Sequence, residues 1–160
     1  MGATTTAAEL GRAFPDVPVV DSSGAHVRDS VDSDPRLVVA TPGAEPAPES
    51  GYACAVILDA VSSLSRPGLA AVEQTVDRWM AILALVRSVR DGGRAVVVGP
   101  SEDAALQAMV RNDPAGWAAR ELTDRREARF PPAVPCGIVD GDPKAVASAA
   151  QRLGEWFGTD

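Results

Sequence analysis

The run Ala53–Asp59, ACAVILD, constrains the fold more than any other stretch of this chain. It is apolar at successive positions and closes on a carboxylate. A strand that shows one face to water alternates apolar and polar residues. An unbroken apolar run instead marks a strand of a parallel sheet covered on both faces. Parallel strands need crossover connections, which are usually helices. The sequence downstream supplies one: Leu69, Val72, Val76, Trp79, Met80, Leu83 and Val86 recur at helical spacing. That pattern predicts a helix running to about Arg90, stopped by Asp91-Gly92-Gly93, with Arg87 and Arg90 complementing its C-terminal dipole. Ala95–Val98 then reads as the next buried strand.

The rest of the chain extends this alternation. Ala7–Phe14 reads as a short helix, with Thr4, Thr5 or Thr6 as its N-cap and Pro15 beyond its end. Val17–Val20 and Leu37–Ala40 are short apolar runs of strand type, separated by a polar stretch, Asp21–Pro35, that reads as an exposed connection. Glu45–Gly51 and Ser62–Gly68 read as loops. Ser101 is the expected cap of a helix through about Val110, followed by a helix over Pro114–Ala128, a strand over Val134–Val139 and a final helix over Pro143–Phe157. Strands alternating with helices make this an α/β chain with a mostly parallel sheet and flanking helices. Thirteen prolines and fourteen glycines agree with many short connections.

Composition excludes several function classes. The formal net charge is −7, so DNA binding through the whole surface is not expected and any nucleic-acid contact must be local. No segment holds the roughly 18 consecutive apolar residues of a membrane span. The N-terminus lacks the basic start and apolar core of a secretory signal, so a cytoplasmic location is expected. Two cysteines, Cys54 and Cys136, and one histidine, His26, form no metal-ligand spacing. Both cysteines read as small buried apolar residues and His26 as a loop residue.

Several patches together resemble one family, the primosomal replication-restart (PriA) helicases. Residues 2–19, GATTTAAELGRAFPDVPV, are similar to that family's G-T-E-R-x-x-E-E-L-x-x-x-F-P segment. VVATPGAEP stands where the family has a strand followed by a G-T-Q loop. Leu58, Asp59, Ala60, Leu64, Pro67, Ala71 and Glu73 match its L-D-A-D-x-x-L-x-x-P-D-F-R-A-x-E-R segment. Asp113, Pro114, Trp117, Glu121, Leu122, Arg125 and Phe130-Pro131-Pro132 match its F-x-x-x-E-L-x-x-R helix and the aromatic-Pro-Pro after it. The order and spacing of these patches carry the resemblance, which looks most like the divergent form of high-GC actinobacteria.

The resemblance implies a RecA-like second helicase lobe over 1–112, incomplete at its N-terminus. Over 113–160 it implies a connecting helix and the start of an α+β C-terminal domain. It implies forked or single-stranded DNA and other primosome and replication proteins as partners. The family uses ATP, magnesium and zinc, but none is expected in this chain. There is no G-x-x-x-x-G-K-[ST] phosphate loop, and the family's first lobe and paired-cysteine zinc module are absent, so the chain reads as a fragment.

Carried on without a gap, the match places Ala81 at the family's glutamine, Leu85 at its finger arginine and Ser88 at its last arginine. Leucine cannot donate charge-assisted hydrogen bonds to phosphate. The loss of such an arginine costs orders of magnitude in rate. Two helical residues turn through about 200°, so Arg87 would not replace it. The expectation is a replication-restart DNA-binding segment without ATPase or helicase activity of its own, and no catalytic or metal-binding residue is assigned.

Two local sites remain as candidates. Thr41-Pro42-Gly43, with Asp59 at the end of the next strand, forms a rim where a nucleotide phosphate or other small molecule could sit, which would make the chain a small α/β enzyme or nucleotide-binding domain. The competing reading is a tight turn at Thr41-Pro42-Gly43 and, at Asp59, a cap on the next turn. Arg125, Arg126 and Arg129, in RELTDRREAR, could meet DNA phosphates, or form intrahelical ion pairs with the acidic residues among them.

Overall fold

The computed structural model describes residues 2–157. It contains α1 (Ala3–Ala13), β1 (Val19–Ser22), β2 (Ser30–Val31), β3 (Leu37–Ala40), β4 (Ala47–Pro48), β5 (Cys54–Ile57), α2 (Ala60–Leu64), α3 (Ala71–Ala84), β6 (Arg94–Val97), α4 (Ala104–Arg111), α5 (Pro114–Glu127) and α6 (Pro143–Phe157). Helices and strands are mixed and every strand pair is parallel, which is compatible with an α/β chain, but the expected alternation is not regular: β1 to β5 follow one another before α2. The strands form three separate two-stranded sheets, β1–β3, β2–β4 and β5–β6, rather than one continuous sheet. By its internal contacts the chain divides into two compact units, 1–118 and 119–160.

Within the first unit, α1 packs on β1 and β3. The main core joins Ala60 of α2, Val76 and Trp79 of α3, Leu106 and Met109 of α4, and Trp117. Ile57 and Val97 contribute the inward face of β5–β6 to it. The opposite face of that sheet is bare: Val56, Leu58, Val96 and Val98 are 54%, 59%, 48% and 52% exposed. The expectation that ACAVILD is covered on both faces is therefore corrected, since only one side of β5 is packed. Cys54 faces the open side and is exposed, contrary to its expected burial. Cys136 is likewise exposed, because Val134–Val139 forms no strand.

Several element ends also differ, each for a local reason. The cap of α1 is Gly2, and no threonine side chain caps it. The polar stretch after Val20 is not merely an exposed connection. It carries the end of β1, a 3-10 turn at Gly24–His26 and β2, with Ser22, Ser23 and Val31 buried. Glu45–Gly51 contains β4, and α2 takes in residues 62–64 of the expected Ser62–Gly68 loop. Asp103, not Ser101, caps α4: its Oδ1 accepts from the N–H groups of Ala105 at 2.9 Å and Leu106 at 3.1 Å.

The largest difference is the end of α3. The helix stops at Ala84 rather than near Arg90. The Leu85 and Val86 N–H groups bond back to Ile82 O and Leu83 O, both at 3.1 Å, which tightens the last turn. The chain then pairs with Tyr52 in a parallel bridge at Val86. Tyr52 N–H donates to Leu85 O and Arg87 N–H donates to Tyr52 O, each at 2.9 Å. Those groups cannot also serve a helix, so the helix ends there. Asp91-Gly92 closes a separate 3-10 turn, Val89–Asp91.

Candidate functional site

The first candidate rim is built where β1 and β3 end side by side. Thr41 N–H donates to Ser22 O at 3.3 Å, and Ala44 N–H closes a turn onto Thr41 O at 2.9 Å. The fully buried Ser22 hydroxyl donates to Ala44 O at 2.6 Å and accepts from Arg28 N–H at 3.0 Å. The turn thus has a backbone fixed independently of its exposed side chains. Gly43 sits in it at φ +95°, a conformation that side-chain-bearing residues rarely adopt. Its N–H donates to Glu45 Oε2 at 2.9 Å, and the same oxygen lies 4.0 Å from Nη1 of Arg78 on α3. The guanidinium lies against the bare Gly43 Cα: an added Cβ would overlap Nη1 and stand 3.2 Å from Cζ.

Asp59 lies elsewhere. It follows β5, in a different sheet from β3, and caps α2 by accepting from Ser62 N–H at 3.4 Å. Thr41 and Gly43 therefore share one turn, while Asp59 serves a helix end beyond another strand. Sequence reasoning singled out Gly43 but not its partners Glu45 and Arg78. They are 33 positions apart in the chain, and no spacing rule links a turn carboxylate to a side chain of a later helix.

Arg87 has a different role from the expected helix-end charge. It lies past α3, and its Nε donates to Ser50 O at 3.1 Å and Gly51 O at 2.9 Å. It ties the chain before β5 to the segment that leaves α3. Arg90 falls in the 3-10 turn, and the last turn of α3 holds no basic residue. Leu85 is the C-cap of α3 and Ser88 the N-cap of the 3-10 turn.

Beside Arg87 a cleft of about 130 Å³ is lined by Asp32, Asp34, Arg36, Ser50 and Tyr52 among others. Its charges are already matched: Arg36 pairs with Asp32 and lies 3.8 Å from Asp34. The Asp34 N–H, followed by Arg36, holds the Asp32 carboxyl below its usual pKa.

In the second unit the arginines of α5 divide by role. Arg125 Nε pairs with Glu121 at 2.8 Å and its Nη1 donates to Pro131 O at 2.9 Å, with 13% of the side chain exposed. It fastens the chain after the helix back onto it. Arg126 and Arg129 are exposed. Arg129 adopts φ +55° just past the helix. Its N–H reaches Arg126 O at 3.3 Å and Phe130 N–H reaches Arg125 O at 2.7 Å, the two bonds of a Schellman cap. His26 is exposed in its 3-10 turn. Among the described residues no three His, Cys, Asp or Glu side chains gather as metal ligands, and no helix is long and apolar enough to cross a membrane. The Trp156 side chain lies outside the described residues.

Comparison with known proteins shows the resemblance read from the residues. The chain is 44% identical over 152 residues to the probable replication restart protein PriA of Mycobacterium leprae, across 95% of this chain and 23% of that protein. It is 45% identical over 141 residues to the proteins of the same name from Mycobacterium tuberculosis and Mycobacterium bovis, across 88% of this chain and 22% of each relative. The chain thus spans less than a quarter of the length of these curated relatives. No family model matches it, and no solved structure matches it significantly.

Proposed function

We propose that this chain, similar over nearly its whole length to part of the replication restart PriA proteins, serves replication restart as a DNA-contacting segment without ATP hydrolysis of its own. The observation that carries this is the 44% identity over 152 residues to a protein named for replication restart. Its partners on this reading are forked or single-stranded DNA and other proteins of the primosome. The loss of hydrolysis rests on Ala81, Leu85 and Ser88, which stand where the helicase family has a glutamine and two arginines. Leu85 and Ser88 lie at the exit from α3, where the backbone is committed to Tyr52. No neighbouring guanidinium substitutes, because Arg87 is spent on the Ser50 and Gly51 carbonyls.

DNA contact on this reading falls to Arg126 and Arg129, whose side chains are exposed, while Arg125 keeps the end of α5 in shape. The Schellman cap holds Arg129 immediately after the helix, so both cations sit within one turn of each other. Against a net charge of −7, such a pair gives weak, salt-sensitive binding.

The test is binding of a forked oligonucleotide by fluorescence anisotropy over a salt series. Replacing Arg126 and Arg129 together by glutamine should lower the slope of log affinity against log salt by about two, roughly one per phosphate contact. The purified chain should show no DNA-stimulated ATP hydrolysis. Equal retention of forked DNA and a non-nucleic polyanion, or an unchanged salt slope in the double variant, would refute the DNA assignment. DNA-stimulated hydrolysis abolished by a substitution in this chain would refute the non-hydrolytic one.

A further inference from the structure

The Thr41–Glu45 turn has the makings of an anion site that the chain fills itself. A backbone N–H at Gly43 and a guanidinium at Arg78 converge on one carboxylate oxygen, at 2.9 Å and 4.0 Å. An amide N–H beside an arginine is the donor set that holds a phosphate oxygen, because both favour a concentrated negative charge. The arginine is positioned as well as charged. It rests on the Gly43 Cα, where any side chain would displace it.

Glu45 is the occupant rather than the architect of this arrangement. The turn is held by Thr41 N–H to Ser22 O, Ala44 N–H to Thr41 O and Ser22 Oγ–H to Ala44 O, none of which uses the Glu45 side chain. Removing the carboxylate therefore leaves the donors in place. The site is also accessible, since the Arg78 side chain is 42% and that of Glu45 21% exposed.

We propose that Gly43 N–H and Arg78 form a phosphate-binding site that the Glu45 carboxylate keeps closed, and that a phosphate group enters when Glu45 swings out. The ligand chemistry is a phosphate oxygen, supplied by a nucleic-acid backbone or by a free phosphate. The affinity seen from solution is reduced by the fraction of molecules with Glu45 in place. A carboxylate tethered two residues away is a competitor at an effective concentration on the order of millimolar. This site lies in the first unit and Arg126 and Arg129 in the second, so either assignment can fail while the other stands.

The experiment titrates inorganic phosphate into the full chain and follows the Gly43 amide resonance. The wild type should bind weakly, with the Gly43 resonance moving only at high phosphate. Glu45→Ala and the nearly isosteric Glu45→Gln should each bind about tenfold more tightly or better. Adding Arg78→Gln should abolish the gain. A parallel titration with a short single-stranded oligonucleotide identifies the source. A gain for the oligonucleotide that inorganic phosphate competes away assigns the site to a nucleic-acid backbone. A gain for inorganic phosphate alone assigns it to a free phosphate. If the folded Glu45→Gln variant shows no gain with either probe, or if the gain survives Arg78→Gln, the proposal is overturned.

Discussion

Replacing Gly93 by alanine tests what ends α3. An ideal Cβ on Gly93 would overlap the Arg87 carbonyl oxygen and stand 2.6 Å from its carbon. Comfortable carbon–carbon contact begins at about 3.5 Å, so the Arg87 peptide must retreat by roughly 1 Å. That peptide is fixed from both sides. Arg87 N–H is bonded to Tyr52 O at 2.9 Å, Tyr52 N–H to Leu85 O at 2.9 Å, and Gly93 N–H to Ser88 O at 2.9 Å. A 1 Å retreat breaks about two of these bonds, at about 1 kcal/mol each, and leaves about 1–2 kcal/mol of residual strain. The expected loss is about 3–4 kcal/mol, read as the change in unfolding free energy from urea titration at constant m-value. Gly92→Ala is the control. Gly92 adopts φ +80° with open space around it, so alanine costs only the left-handed backbone term of about 1 kcal/mol. A Gly93→Ala variant no less stable than Gly92→Ala would refute the argument that the Tyr52 junction, rather than the glycines as helix breakers, ends α3.

Two further outcomes follow from single residues. Arg129 holds φ +55° at the Schellman position after α5, so Arg129→Gly should raise stability by up to about 1 kcal/mol in urea titration while removing one phosphate contact from the salt slope. Tyr52, the single tyrosine of the chain, has its pKa raised above 10.0, first by burial and then by the Glu45 charge. Its neutral form is the one the folded state favours, so its contribution is fully present below about pH 10 and is lost as pH rises through the raised value. Phenolate absorbance should therefore titrate later in the folded chain than after urea unfolding, and Glu45→Gln should bring the folded midpoint part of the way back.

Much of the candidate site was visible in the sequence as parts but not as an assembly. Gly43 stood out because a Thr-Pro-Gly turn at the end of a strand often rims a ligand cleft in α/β proteins. Asp59 stood out as a cap on the turn after its strand; the structure makes that turn the start of α2. Their partners did not, because the Glu45–Arg78 approach and the Ser22–Ala44 bond join positions that no local periodicity relates. The same holds for the arginines after α3. Read along the chain, AILALVRSV continues a helix, and the apolar spacing carries no sign of a break at Ala84.

Legible along the chain were the mixture of helices and strands, the parallel pairing of the strands, the apolar stripe of α3 and the resemblance to replication restart proteins. These depend on local periodicity and residue type, which a single chain displays openly. Only the tertiary structure decided where α3 stops, which face of β5 is packed and which arginines remain available. Each of those depends on competition for a backbone hydrogen bond, an apolar surface or a counter-charge between residues far apart in sequence. Tyr52 captures the backbone of Leu85 and Arg87, and that capture ends the helix; the Ser50 and Gly51 carbonyls then claim the Arg87 guanidinium.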